Sequence, residues 1–222
     1  MATNTAYVPA PQIRDPAALR RLDGITYVAK RALDRALAAL LLALLLPPIV
    51  LIAALLKLDS RGPVFFRQIR VTRHGRLFLM YKFRSMFDGA DALHAGLAAS
   101  GEGNGAIFKL RHDPRVTRVG GWLRRTSLDE LPQLINVLRG EMSLVGPRPP
   151  LVTEVASDWR HMSRLEATAG MTGLWQVSGR SDLSFDEMLR LDLQYIQRWS
   201  LPLDCLIILR TIPTVLSRRG AY

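Results

Sequence analysis

The longest stretch of hydrophobic positions is an uninterrupted apolar run from Ala36 to Leu56. A helix rises about 1.5 Å per residue, so this run is long enough to reach across the roughly 30 Å hydrocarbon core of a bilayer. Pro47 and Pro48 lie near its middle and lack N–H donors, so the pattern predicts a kink or a break of the helix there. A spanning helix and a re-entrant helix-break-helix are the two interpretations.

The charges on both sides of the run favour re-entry. Lys30, Arg31 and Arg35 precede the run, and a second basic cluster follows it: Lys57, Arg61, Arg67, Arg70, Arg73 and Arg76. A spanning helix would carry one cluster to the outer face, against the positive-inside tendency, whereas re-entry keeps both on the cytoplasmic side. We therefore predict a mobile N-terminal tail over residues 1–28, a re-entrant membrane helix over 29–58, and a compact cytoplasmic domain over 59–222.

Two β-prone segments follow the apolar run. Pro63 to Val71 and Arg76 to Phe83 flank a turn around His74 and Gly75, which is typical of a β-hairpin. The two-residue period of a strand places Lys82 and Arg84 on the same face. That face is either a binding surface for anions or an ordinary basic surface.

The remaining hydrophobic pattern is helical, so the predicted fold class is α+β, mainly helical, with a small β-hairpin and surface amphipathic helices. The predicted helices are Ser85 to Ala99, Val116 to Arg125, Leu131 to Leu138, Phe185 to Trp199, and Leu201 to Leu216. Within the third of these, helical spacing places four residues in the core: Leu131, Leu134, Ile135 and Leu138. The last helix is apolar nearly all round, so it is either buried or lies in a lipid interface.

Composition adds a strong positive charge to this picture. The formal net charge is +11, which indicates anionic partners such as nucleic acid, acidic lipid or phosphorylated small molecules. The single cysteine, Cys205, excludes an internal disulfide and is predicted to be a small core residue. His74, His94, His112 and His161 are scattered, so a zinc site is not expected.

The strongest candidate for chemistry is the adjacent carboxylate pair Asp129 and Glu130, which follows Arg124 and Arg125 by one helical turn. One carboxylate can attack phosphorus or hold a metal ion, while arginines neutralise phosphate oxygens. A structural interpretation competes with this one. Ser127 and Glu130 fit a capping box, and Asp129 also fits as the cap of a helix that begins near Glu130.

Two loops carry further candidate residues. Prolines on both sides of Arg148, in the segment from Gly146 to Pro150, leave its backbone few conformations, so either the side chain is aimed or the segment is an extended connector. The segment from Gly170 to Arg180 mixes glycines with Trp175 and Gln176. This composition is typical of a ligand-binding loop or of a hydrogen-bonded structural loop.

Four motifs in this order resemble the bacterial sugar transferases known as monotopic phosphoglycosyl transferases, of the small exopolysaccharide-initiating type. They are the apolar helix with Pro-Pro, KFRSM (Lys82 to Met86), RRTSLDELPQLINVLRGEMSLVGPRP (Arg124 to Pro149) and AGMTGLWQVSGR (Ala169 to Arg180). The resemblance covers roughly Lys30 to Tyr222. The chain is similar to the catalytic unit alone, without the additional N-terminal membrane helices of larger relatives.

The resemblance implies an enzyme that transfers glucose 1-phosphate or galactose 1-phosphate from a UDP-sugar to undecaprenyl phosphate. The reaction would take place at the cytoplasmic face of the bacterial inner membrane. Asp129 would be the nucleophile, and Glu130 together with Asp129 would hold Mg²⁺. The implied substrate-binding residues are Lys82, Arg84, Arg124, Arg125, Arg148, Gln176 and Arg180. Membrane lipid is the further expected partner, and the formation of a homodimer is left open.

Two other classes of protein compete with the enzyme. A basic, membrane-attached binding module would explain the charge and the apolar run but not the carboxylate pair. Nucleic acid is not expected as its ligand, because the basic strand face lacks clustered aromatic residues. A scaffold protein of a polysaccharide assembly is the second rival.

Overall fold

The computed structural model describes residues 22–90 and 113–217. The predicted tail up to residue 21 and the predicted loop Ser100 to Gly105 lie outside these ranges. The elements are α1 (Ile25–Asp59), β1 (Phe65–Val71), β2 (Leu77–Phe83), α2 (Arg118–Thr126), α3 (Gln133–Arg139), β3 (Ser143–Val145), α4 (Val152–Ser157), β4 (Gly170–Thr172), α5 (Leu174–Ser178), α6 (Phe185–Arg198) and α7 (Leu201–Ser217). The protein is mainly helical with small sheets, as predicted.

Helix α1 begins inside the predicted tail and runs without interruption through Pro47 and Pro48. The predicted interruption of the helix at these prolines is therefore wrong, and the predicted kink stays a prediction. The prolines remove the hydrogen bonds to the carbonyls of Ala43 and Leu44, but the leucine-rich flanks are strong helix formers. The helix is long and apolar enough to cross a membrane, by length and composition. Re-entry stays a prediction.

Helix α1 packs against one domain on both sides of the prolines. On the N-terminal side, Ala38 joins the main core together with Leu134 of α3. On the C-terminal side, Ile52 packs in a second cluster with Phe83 and Leu123. These contacts on both halves explain why the helix continues through a sequence that would break an isolated helix.

A buried charge cluster fixes the N-terminal half of α1. Lys30 Nζ lies 3.2 Å from Asp34 Oδ2 and 2.8 Å from Asp204 Oδ2 of α7, and all three side chains are buried. Ser143 donates a hydrogen bond to Asp34, and the Tyr195 hydroxyl donates one to Asp204. Removing one partner from such a cluster leaves a buried charge uncompensated, so the cluster ties α1 firmly to α7.

The predicted hairpin is confirmed. Strands β1 and β2 pair in antiparallel fashion, with Phe65 opposite Phe83 at one end and Val71 opposite Leu77 at the other. The turn is a short 3-10 segment, Arg73–Gly75, in which His74 has a left-handed φ of 58°.

Helices α2 and α3 lie close to their predicted positions, but the core face of α3 is rotated. Leu134 is buried as predicted, whereas Leu138 is 43% exposed and Leu131 and Ile135 are half-buried. The cause is Asn136, which is fully buried and bonded to the edge of β2. This side chain turns a polar position of α3 inward and turns Leu138 outward.

The predicted helix Ser85 to Ala99 is wrong over residues 85–89, which form a turn and an isolated bridge between Met86 and Val116. The bridge holds the segment in an extended conformation beside α2. The predicted helix from residue 91 onward lies outside the described ranges.

The segment predicted as a loop from Gly170 to Arg180 is regular. Strand β4 pairs in parallel with β3, α5 follows, and a 3-10 turn begins at Arg180. The backbones of Gly146 and Gly170 approach each other so closely that a Cβ on either would overlap the other strand. Close backbone packing thus explains glycines that the sequence suggested for ligand binding.

Helices α6 and α7 are confirmed at their predicted places. Helix α7 exposes an apolar face made of Leu206, Leu209, Ile212 and Leu216. Cys205 lies on this outer side and is exposed, so its predicted place in the core is wrong. An exposed apolar face agrees with the lipid-interface interpretation of this helix.

Candidate active site

The acidic pair lies in a 3-10 turn, Leu128–Glu130, between α2 and α3. Ser127 ends α2 in a left-handed conformation with φ 57°, and its side chain makes no capping bond to the turn. The predicted capping box is therefore wrong. Helix α3 begins after Pro132 without a side-chain cap, so Asp129 does not serve as one either. The two carboxylates contact cations instead.

Lys82, at the end of β2, faces both carboxylates. Its Nζ lies 2.7 Å from Glu130 Oε1 and 3.9 Å from Asp129 Oδ2. The hairpin thus carries a cation to a turn that is nearly 50 residues away in sequence. An ammonium group between two adjacent carboxylates reduces their mutual repulsion.

Asp129 is poorly solvated. It is 9% exposed, and burial raises the pKa of its carboxyl group to about 6. Lys82 opposes this rise of the pKa, Glu130 adds to it, and Arg124 opposes it. Near neutral pH the carboxylate is ionised but carries little hydration, which is the state in which a carboxylate attacks most readily.

The two adjacent arginines occupy different environments. Arg124 Nε donates a hydrogen bond of 2.8 Å to Ser85 Oγ, and its charge acts on Asp129. Burial lowers the pKa of the Arg124 guanidinium. Arg125, one position further round α2, is exposed. The structure therefore brings Arg124 to the acidic pair and leaves Arg125 on the surface.

The segment after β4 reaches the same turn. Arg180, with a left-handed φ of 56°, donates a hydrogen bond of 2.7 Å from Nη2 to Ser127 Oγ. Within the described ranges, Arg180 Nη1, Gln176 Oε1 and Trp175 Nε1 are buried without a hydrogen-bond partner. Buried polar atoms are rarely left without partners, so these atoms are candidate ligand contacts, and Arg180 is the one of the three residues that reaches the turn of the acidic pair.

Arg148 lies in a second cationic cluster. Its Nη1 is 3.3 Å from Glu154 Oε2, and Arg70 Nη1 donates to the carbonyl of Pro149 at 3.0 Å. Burial and then the like charge of Arg148 lower the pKa of Arg70 to about 9, against the charges of Glu154 and Glu130. Arg70 was not among the predicted site residues. The one sequence feature that sets Arg70 apart is its place in the strand: the two-residue alternation puts it on the same face as Phe78, which is buried.

Arg84 does not share its surroundings with Lys82. It is 6% exposed, and its Nη2 donates to the carbonyls of Ser60 and Leu56 at the end of α1, at 2.8 and 3.3 Å. An arginine in this place compensates the last carbonyls of a helix. The contacts of Arg84 therefore anchor α1, and its predicted role in substrate binding stays a prediction.

The acidic pair fits Mg²⁺ only with help from a ligand. Mg²⁺ binds one or two carboxylates and completes its shell with water and substrate phosphates. Among residues 22–90 and 113–217, no group of three or more histidine, cysteine, aspartate or glutamate side chains converges as a metal site. Asp129 and Glu130 could therefore hold Mg²⁺ together with the oxygens of a bound diphosphate.

The fold and the site define a basic enzyme domain built onto a long apolar helix, with a buried carboxylate between cations. The chain belongs to the bacterial sugar transferase family, whose model matches residues 25–218. The predicted family and the predicted class of enzyme, a phosphoglycosyl transferase, are confirmed.

Curated relatives extend this match. The chain is 41% identical to the exopolysaccharide production protein ExoY of Rhizobium meliloti, over 100% of this chain and 99% of the relative. It is 45% identical to the galactosyl transferase CpsE of Streptococcus agalactiae, over 87% of this chain but 43% of the relative. It is 44% identical to the UDP-glucose:undecaprenyl-phosphate glucose-1-phosphate transferase of Caulobacter vibrioides, over 87% of this chain and 72% of the relative. The chain thus spans less than half of CpsE and nearly all of ExoY.

Proposed function

We propose that this chain transfers hexose 1-phosphate, of glucose or galactose, from a UDP-sugar to undecaprenyl phosphate and so initiates exopolysaccharide or other glycoconjugate synthesis. The names of its relatives support the donor, the acceptor and the pathway class. The observation that carries the proposal is the buried Asp129, whose raised pKa and cationic neighbours suit attack on a phosphate.

The proposed reaction has two steps at one phosphorus. An oxygen of Asp129 attacks the phosphorus that bears the sugar, the bond from that phosphorus to the UMP oxygen breaks, and UMP leaves with the electron pair. An aspartyl phosphosugar remains. An oxygen of undecaprenyl phosphate then attacks the same phosphorus, the bond to Asp129 breaks, and the carboxylate is regenerated as the lipid diphosphate sugar leaves.

The cations around Asp129 make the first step feasible. A carboxylate and a diphosphate repel each other, and Lys82 and Arg124 screen this repulsion where little water competes. Mg²⁺, when held by Glu130 and Asp129, supplies further neutralisation of the phosphate oxygens. Arg180 and Gln176 are proposed to hold polar groups of the donor, because each has a buried polar atom without a described partner.

The proposed location is the cytoplasmic face of the inner membrane, with the site at headgroup level. A soluble nucleotide sugar and a lipid phosphate can meet only there. The contacts of α1 with one domain on both sides of its prolines favour re-entry, because a compact domain cannot lie on both faces of a bilayer. Arg125 and Arg148 are proposed to contact the substrates from the rim of the site.

The experiment is covalent capture of the phosphosugar. Protein purified in detergent and freed of undecaprenyl phosphate is incubated with UDP-sugar labelled in the sugar, and we expect stoichiometric label on the protein and release of UMP. Asp129→Asn should abolish both. Asp186→Asn, at an exposed carboxylate of α6, is the matched control and should label as the wild type does. UMP release that persists in Asp129→Asn would refute the assignment, and its absence in the wild type would favour a binding or scaffold protein.

A further inference from the structure

The hairpin and its flanks have an unusual charge balance. From Ser60 to Phe87 the sequence contains no aspartate or glutamate, yet it carries a set of basic residues: Arg61, Arg67, Arg70, Arg73, Arg76, Lys82 and Arg84. The inner face of the hairpin uses some of these for the active site and the core. The outer face is not explained by the proposed reaction.

The strand register defines that outer face. Arg67 lies opposite Tyr81, and Ile69 lies opposite Leu79, so all four side chains point to one side. Ile69 is 54% exposed, Leu79 is 36% exposed and the neighbouring Leu77 is 45% exposed. The hairpin therefore presents apolar, aromatic and cationic groups together to its surroundings.

The outer face is continuous with the end of α1. Phe65 and Phe83 belong to the same face at the base of the hairpin, where their rings stack 5.6 Å apart. Phe83 packs with Ile52 and Leu56 in the last turns of α1. The surface that begins at the apolar helix thus extends along the hairpin.

Helix α3 closes the gap between α1 and the hairpin. Its Leu134 packs with α1, and its Asn136 bonds to the edge of β2. On the outer side of α3, Leu138 is exposed and Arg139 donates a hydrogen bond of 2.9 Å to the Tyr81 hydroxyl. One surface therefore runs from α1 over the exposed side of α3 to the hairpin.

We propose that this surface, made of Arg67, Ile69, Leu77, Leu79, Tyr81, Leu138 and Arg139 and here called the hairpin face, docks on a bilayer that contains anionic lipid. Arginine and tyrosine beside exposed aliphatic side chains are the groups that settle at headgroup level. A second copy of the chain is a poor partner, because two faces without acidic residues repel each other. The proposal rests on the membrane attachment of α1.

Docking of the hairpin face would fix the height of the active site. Lys82 belongs to the same strand as Leu79 and Tyr81 and points to the opposite side, towards the acidic pair. A strand held flat on the headgroups therefore holds Lys82 at a constant distance from the lipid surface, on the side of the hairpin that faces away from it.

The test measures the depth of single positions. Ile69→Cys and, as the matched control, Gln197→Cys at an exposed position of α6 are labelled with an environment-sensitive fluorophore in the full chain carrying Cys205→Ser. The proteins are reconstituted in vesicles of phosphatidylcholine with and without phosphatidylglycerol, and a nitroxide on the lipid headgroup acts as quencher. We expect strong quenching at Ile69 only, and less of it without the anionic lipid.

Charge variants provide the second measurement. Each arginine near an anionic surface contributes about a five-fold factor to binding, so Arg67→Gln with Arg139→Gln should lower the ratio of docked to undocked hairpin about 25-fold. The Ile69 fluorophore reports this ratio, and the far-UV spectrum checks that the fold is kept.

Three outcomes overturn the proposal in different ways. Vesicle flotation comes first: a chain that does not float with the vesicles contradicts the membrane attachment in the proposed function. A chain that floats with an unquenched Ile69 contradicts only the hairpin face. Fluorescence at Ile69 that shifts with protein concentration in detergent, together with crosslinking between copies at this position, assigns the face to a second copy instead.

Discussion

Asp129 and Glu130 are neighbours in sequence but differ in solvation. Asp129 is 9% exposed, whereas the Glu130 side chain is 37% exposed and bonded to Lys82. The 3-10 turn points the Asp129 carboxylate towards the core and the Glu130 carboxylate towards Lys82 and solvent. A buried carboxylate suits attack, and a solvated one suits a hard metal ion.

The raised pKa of Asp129 predicts that the rate of the first half-reaction decreases at acid pH. Only the ionised carboxylate attacks, so covalent labelling in single turnover should fall as the pH drops through about 6. Lys82→Gln removes a cation that lowers this pKa, so the pH at which labelling falls should be higher in this variant than in the wild type. Labelling from UDP-sugar without acceptor is the measurement, because the donor diphosphate does not titrate in this range. A rate that is flat through pH 6 would contradict the prediction.

Glu130 is predicted to act through the metal. Glu130→Gln keeps the size of the side chain but removes the charge of one hard oxygen ligand, so the Mg²⁺ concentration for half-maximal activity should rise at least several-fold. Titration of UMP release with Mg²⁺ measures this. Superimposable titrations at a lower maximal rate would show that Glu130 has another role, such as holding Lys82.

The sequence singled out those candidate residues whose type and spacing are themselves the signal. The adjacent carboxylates, Lys82 and Arg124 meet in the structure. Arg70 was missed because it is one of seven basic residues near the hairpin, and only the fold shows that it is buried beside Arg148. Ser127 accepts a hydrogen bond from Arg180, and both residues have a left-handed backbone conformation. No local sequence pattern predicts that conformation at either position.

At the scale of elements, local signals were reliable where no distant contact overrides them. The hairpin was predicted because alternation and a turn at His74 specify it within a few residues. The predictions of an interruption in α1 and of a side-chain cap for α3 were wrong because tertiary contacts determine both features. Packing on two sides holds α1 through its prolines, and the left-handed Ser127 removes the geometry that a capping box needs.

The packing of α1 against the domain should determine the membrane topology of this helix. Both ends of the helix contact one domain, and Arg84 bonds to the carbonyls at its C-terminal end. The domain contacts, and not the prolines alone, should therefore keep the two ends on one side. Replacing Pro47 and Pro48 with Ala and Leu should leave the topology unchanged.

For the whole molecule, we predict that both ends of α1 face the cytoplasm. In a Cys205→Ser background, Thr26→Cys and Arg61→Cys place single thiols at exposed positions beside the two ends. An impermeant thiol reagent should label neither in intact cells stripped of outer membrane, and both after the inner membrane is opened. The exposed wild-type Cys205 must be removed first, because it would react as well. Labelling of Thr26→Cys from outside would refute re-entry.

The buried cluster of Lys30, Asp34 and Asp204 has a consequence for biogenesis. Lys30 leaves the ribosome about 170 residues before Asp204, which amounts to roughly 10 to 35 s at about 5–20 residues per second. During that interval the Lys30 and Asp34 charges of the first helix lack their partner in the last one. Helix α1 can therefore reach its final contacts only after α7 has been made. We expect a nascent chain that stops before Asp204 to leave this charge cluster incomplete and to be recognised by quality control.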